Sequence, residues 1–148
     1  MRQPHDAASG AAQRILVFRL EVPIRWGDMD AMGHVNNTVY FRYMEQARLS
    51  WFDAMGWPYD PNGTGALIIN ASCTFLRQLE YPGTVLVHHF VGELGRSSFQ
   101  TFVELRRTDE PDTLYAEGAA RCVWVDFQRR KSVPMPEHVR QAVVTPRI

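Results

Sequence analysis

Between Trp26 and Arg48 the chain gathers side chains that can do chemistry. Asp28, Asp30, His34, Asn36 and Asn37 fall within ten positions, with Gly33 among them. A carboxylate can attack an electrophilic carbon or take a proton from water. Amides at the start of a helix lack intrahelical partners and carry partial positive charge, so they stabilise an oxyanion. A carboxylate on a turn that leads into such a helix start is the combination that acyl transfer requires. The competing reading is that Asp30 ends a strand and caps a turn, and that the asparagines only cap a helix.

The flanking pattern supplies the helix and the turn. Phe18, Leu20, Val22, Ile24 and Trp26 alternate with Arg19, Glu21, Pro23 and Arg25, which predicts a strand with one buried face. Pro23 marks an edge or a bulge. From Asn36 the period changes: Val39, Tyr40, Tyr43, Met44, Ala47 and Trp51 share one face at helical spacing. Asn36 or Asn37 is the expected N-cap, and Gly56 and Pro58 the stop. Glu45 and Arg48, three apart, are expected to pair on the helix surface.

After a loop over residues 57–64, only strand-like segments remain: 66–79, 85–94, 99–106 and 115–127, with a tight turn at Glu110-Pro111-Asp112. Short turns make consecutive strands antiparallel neighbours. Pro134 and Pro136 are expected to end regular structure. One long helix on an antiparallel sheet is an α+β architecture. Residues 1–12, small and polar, read as a flexible tail, leaving 13–148 as a single domain.

Composition narrows the class. Sixteen basic and sixteen acidic side chains give zero formal net charge, which argues against a nucleic-acid partner. No stretch reaches the roughly 18 apolar residues of a membrane span, and the first residues show no apolar run of a secretory signal. Cys73 and Cys122 are far apart with no metal-ligand spacing, so no metal site is expected, and two thiols in a reducing cytoplasm are.

The segment Asp28-x-Asp30-x-x-Gly33-His34-Val35-Asn36-Asn37-x-x-Tyr40, with Glu45-x-x-Arg48 behind it, resembles the hotdog-fold thioesterases of the 4-hydroxybenzoyl-CoA thioesterase-like branch. The resemblance covers nearly all of residues 15–136. It implies a long central helix wrapped by a five-stranded antiparallel sheet. It implies hydrolysis of acyl-CoA to free acid and CoA, with Asp30 as nucleophile or general base. The amide at Asn37 would polarise the thioester carbonyl, and Asp28 would order the turn. Plant acyl-carrier-protein thioesterases are similar at Asp30 and His34 but carry an asparagine where Met32 stands, so the role of His34, catalytic or merely hydrogen-bonding, stays open. An acyl-carrier-protein thioesterase and a non-catalytic acyl-CoA sensor are the alternatives.

On the substrate side, Tyr40 and Trp57 are expected near the acyl group. Arg96, Ser97 and Ser98, and the run Arg129-Arg130-Lys131, are expected near the phosphates and pantetheine of CoA. The resemblance further implies a homodimer or tetramer with its site between subunits, so that these groups serve the partner's Asp30. No cofactor is expected, since CoA is part of the substrate.

Overall fold

A computed structural model describes residues 14–57 and 59–148; the tail read over residues 1–12, and Pro58, lie outside them. Five long strands and one long helix carry the chain. They are β1 (Ile15–Pro23), α1 (Asn37–Ala54), β2 (Thr64–Phe75), β3 (Thr84–Leu94), β4 (Ser98–Arg107) and β5 (Ala116–Asp126). A two-residue strand, β6 (Lys131–Ser132), and a short helix, α2 (Glu137–Val143), complete it. The long strands form one antiparallel sheet in the order β1-β3-β4-β5-β2, with β6 paired to β5.

The alternation expected in β1 is interrupted. A register shift between Leu16 and Phe18 turns Val17 into the core. After Ile24, whose N–H donates to the Gly83 carbonyl at 2.8 Å, a 3-10 turn over Trp26–Asp28 breaks the pattern. Trp26, expected to face inward, is therefore 76% exposed.

The helix follows its pattern. Tyr40, Tyr43, Met44, Ala47 and Trp51 are its buried residues. Asn36 is the N-cap: its side-chain oxygen accepts from the Thr38 amide at 2.9 Å and the Thr38 hydroxyl at 2.8 Å. The C-terminus closes with a glycine in the left-handed region, Gly56, at φ 74°. Gly56 N–H donates to the Asp53 carbonyl and Trp57 N–H to the Phe52 carbonyl, the paired bonds of a Schellman motif. Its hydrophobic contact is here too, with the Phe52 and Trp57 rings 5.4 Å apart. Gly118 on β5 lets the helix lie close to the sheet, since a Cβ there would collide with Met44 Sδ and come 2.8 Å from the Ser72 carbonyl.

Three expectations about elements are overturned. Strands β2 and β3 are consecutive but not neighbours: β2 lies at the edge beyond β5, and β3 between β1 and β4. The chain over 76–79, read as strand, leaves the sheet and crosses beneath the start of α1, where Tyr40 and Val35 hold it. The proline pair also does not end regular structure. Pro136 is the N-cap of α2, which buries Val139 and Val143, because a proline suits the start of a helix as well as a strand end.

The core divides along α1. One cluster joins Tyr40, Tyr43, Met44 and Ala47 to Leu79, Val85, Val87 and Leu105. The other surrounds Trp51 with Val17, Val91, Phe99, Cys122, Trp124 and α2. His89 on β3 is fully buried with its ring 4.8 Å from that of Trp51, and neither ring nitrogen has a partner among the described residues.

Candidate active site

The loop between β1 and α1 is a closed hairpin. Met29 pairs with Val35. Asp30 N–H donates to the His34 carbonyl at 2.8 Å, and Gly33 N–H returns to the Asp30 carbonyl at 3.1 Å. Gly33 sits at φ 79°, a left-handed position that glycine takes without strain. The Asn36 amide donates to the Asp28 carbonyl at 3.0 Å. These bonds draw both ends of the loop together and set Asp30 across from His34, just ahead of α1.

Within this loop the two aspartates differ. Asp28 is half-buried, and its carboxylate accepts from the Tyr43 hydroxyl at 2.8 Å and the Arg25 amide at 2.9 Å. Burial, with the Asp28 carboxylate next, raises the Tyr43 hydroxyl's pKa well above its ordinary value, so Tyr43 stays a donor. Asp28 thereby ties the loop to the helix. Asp30 is exposed. Its Oδ1 accepts the Met32 amide at 2.9 Å, and its Oδ2 has no partner among the described residues. The first-turn amides of α1 are spoken for at Thr38, by the Asn36 side chain, and at Val39, by the Asn36 carbonyl. The Asn37 amide has no acceptor among the described residues. The loop and the helix start thus each keep one unengaged group, a carboxylate oxygen on Asp30 and the N–H of Asn37.

His34 turns to a residue that sequence reasoning missed. Its Nε2 lies 3.4 Å from Oε1 of Glu80, on the segment that crosses from β2 to β3. The crossing segment is fastened where it passes: Val35 N–H donates to the Leu79 carbonyl at 2.8 Å. Tyr40 is 3% exposed, and its hydroxyl donates to the Arg77 carbonyl and accepts from the Leu79 amide. Burial raises the pKa of that hydroxyl. Tyr40 therefore holds the crossing segment with the oxygen that was expected to meet substrate. Hydrogen bonds between residues some forty positions apart leave no periodic trace, so neither Glu80 nor this tether stands out in the sequence.

The expected Glu45–Arg48 pair does not form. Glu45 pairs with Arg42 at 2.9 Å instead. Arg48 lies half-buried in a cleft with Phe41, Met44 and Ala71, where its charge bears on His89 and Cys122.

The remaining expected residues lie at the other end of the sheet. Ser97 and Arg96 carbonyls accept the amides of Trp124 and Met135. The Ser98 hydroxyl accepts from Arg121 at 2.8 Å. The side chains of Arg96, Arg129, Arg130 and Lys131 are exposed, and Arg129 lies 3.9 Å from Asp126. Trp57 packs at this end too, 5.2 Å from Trp124. The strands run between the two ends, so within one chain roughly 30 Å separates these groups from Asp30, at about 3.3 Å per strand residue. The structure brings together the catalytic candidates, and separately the cationic ones, but not the two sets. Among the described residues no group of three metal-ligating side chains is assembled, and no helix is long and apolar enough to cross a membrane.

Comparison with known proteins agrees with this architecture. The PA2801 protein of Pseudomonas aeruginosa is 38% identical, superposes with a TM-score of 0.82, and is matched over 86% of this chain and 98% of its own. A "Putative esterase" of Aquifex aeolicus (strain VF5) is 33% identical over 79 residues, 51% of this chain. That match spans only 62% of the Aquifex protein. Slr0204, a 1,4-dihydroxy-2-naphthoyl-CoA thioesterase from Synechocystis, is 18% identical with a TM-score of 0.77 over 85% of this chain and 94% of its own, and shares the fold. The model of the thioesterase-like superfamily matches residues 24–143, a span that includes the Asp30 loop, the helix and all of β2 to β5. The chain belongs to the hotdog-fold thioesterase-like superfamily.

Proposed function

We propose that the protein hydrolyses acyl-CoA to free acid and CoA, with Asp30 as the working carboxylate. The observation that carries this reading is that Asp30, on the loop leading into α1, keeps Oδ2 unengaged while the Asn37 amide at the start of α1 has no acceptor among the described residues. In this reading the amide receives the thioester oxygen and stabilises the negative charge that grows on it. Asp30 then acts in one of two ways. It attacks the carbonyl carbon, releasing CoA thiolate and leaving a mixed anhydride that water cleaves. Otherwise it takes a proton from a water that attacks directly. Water, thioester and carboxylate suffice for either route, so the reaction calls on no cofactor. Membership of the thioesterase-like superfamily and the similarity to PA2801 support thioester hydrolysis.

The working form in this proposal is a homodimer joined through β2. That strand is twelve residues long, lies at the sheet edge and exposes Leu67, Ile69 and Phe75. A long apolar edge invites pairing with another chain. Antiparallel pairing of two β2 edges about a twofold axis lays the Phe75 end of one against the Thr64 end of the other. The cationic groups Arg96 and Arg129-Arg130-Lys131 of one protomer would then approach the other's Asp30, where CoA phosphates need them. The two free cysteines fit a reducing cytoplasm.

Free-thiol release from a panel of acyl-CoAs tests the reading, alongside sedimentation of the intact protein. Turnover of one acyl-CoA class by a dimer or a tetramer is the expected result. Hydrolysis confined to acyl-carrier-protein thioesters would move the substrate to that carrier. Binding of acyl-CoA with no turnover of either thioester would contradict catalysis and favour a sensor.

A further inference from the structure

A cavity of about 670 Å³ opens at the C-terminal end of α1, far from the Asp30 of the same chain. Leu49, Phe52, Trp57, Tyr59, Trp124 and Phe127 line it, and α2 adds His138 and Val139. The Schellman bonds at Gly56 hold Trp57 in place, 5.4 Å from Phe52 and 5.2 Å from Trp124. Tyr59 and Phe127 stack edge to face at 5.3 Å. Asp53, Asp60, Thr64 and His138 are its polar residues, and Asp60 already accepts the Asn62 amide. The rings give this volume a mostly apolar lining, which suits an apolar ligand.

We propose that this cavity receives the acyl chain of the thioester held at Asp30 of the partner subunit, and that it selects linear chains of about eight carbons or more. The proposal rests on the dimeric thioesterase reading above. Gly63, Thr64, Gly65 and Ala66 form one side of the cavity and are also the start of β2. Antiparallel β2 pairing carries that start to the partner's Phe75, from which the crossing segment runs to the loop of Asp30. The cavity of one protomer therefore abuts the catalytic loop of the other. Its size sets the class. At roughly 30 Å³ per water-sized group, it has room for about twenty such groups. A benzoyl group is compact and cannot extend along it, whereas an alkyl chain of eight carbons or more meets ring walls along its length.

The experiment compares butyryl-, octanoyl-, dodecanoyl- and benzoyl-CoA, with wild type and Leu49→Trp. Each buried methylene is worth about fourfold in kcat/KM, so a rise on the order of 10²-fold is expected from butyryl to octanoyl. Leu49 is 49% exposed on the helix, so an indole there narrows the cavity without entering the core; thermal melting verifies the fold. The dodecanoyl-to-butyryl ratio of kcat/KM is expected to fall tenfold or more in Leu49→Trp. Hydrolysis with no chain-length gradient, a ratio unmoved by Leu49→Trp, or a preference for benzoyl-CoA overturns the cavity assignment and leaves the thioesterase reading standing. If wild type hydrolyses no acyl-CoA, the thioesterase reading falls. Calorimetric binding of non-hydrolysable alkyl-CoA thioethers then decides on the cavity alone. Affinity that climbs with chain length and weakens in Leu49→Trp supports it, and affinity independent of chain length rejects it.

Discussion

At the scale of single residues, what matters is which polar groups are spent and which are left over. Asp28 is spent on Tyr43 and Arg25, and Asp30 keeps one oxygen unengaged. Both aspartates stand out in the sequence, and so does the reading that Asp28 orders the turn. Their partners do not: Tyr43 reads simply as a core position, and Glu80 sits just past what reads as strand. His89 illustrates the same limit, since β-alternation marks it as inward-facing without saying that its imidazole finds no partner. Its burial, reinforced by the nearby Arg48 charge, lowers its pKa to about 3. The unfolded chain binds that proton near the ordinary value of about 6.5. Between those values the unfolded state holds more protons, so the contribution of His89 is intact above about pH 6.5 and is lost as pH falls toward 3. The slope approaches about 1.4 kcal/mol per pH unit where only the unfolded state is protonated. Urea unfolding at pH 7 and pH 5 should show wild type losing stability that His89→Leu does not lose. Equal losses in both proteins would mean that His89 is already charged or solvated in the folded state.

At the scale of elements, α1 was legible because its buried face repeats from Tyr40 to Trp51, about three turns, and its cap residue is specific. Sheet order was not, because local sequence states that a strand exists and not which strand lies beside it. The position of β2 at the edge depends on the 76–83 segment, whose tethers come from Tyr40 and Val35. Helix α2 was missed because seven residues carry too little periodicity to outweigh two prolines. The start of α1 invites a direct test. Asn36→Ala removes the acceptor for the Thr38 amide and hydroxyl. It should cost about 1 kcal/mol of stability. Because the cap also fixes the orientation of the adjacent Asn37 amide, kcat is expected to fall several-fold while KM changes little. A loss of stability with kcat intact would show that the first turn does not need its cap to meet substrate.

At the scale of the whole molecule, one chain places its two sets of candidate groups at opposite ends of its sheet. The sequence names members of both sets, yet their separation is visible only once the strand directions are known. Pairing through β2 would reconcile them. Ile69, 62% exposed beside the register shift of β2, is the position to disturb. Ile69→Arg should shift the protein to monomer in sedimentation and abolish most turnover while leaving the circular dichroism spectrum unchanged. A variant that stays dimeric would place the interface on another surface. The account as a whole stands on Asp30. Asp30→Asn keeps the shape, and nearly the hydrogen bond from the Met32 amide, but removes the charge. The decisive measurement is kcat for wild type and Asp30→Asn on the best acyl-CoA, with melting temperatures recorded on the same samples. The expected result is a fall of at least about a hundredfold, some 2.7 kcal/mol of barrier, at unchanged fold. Turnover within about threefold of wild type would contradict the account.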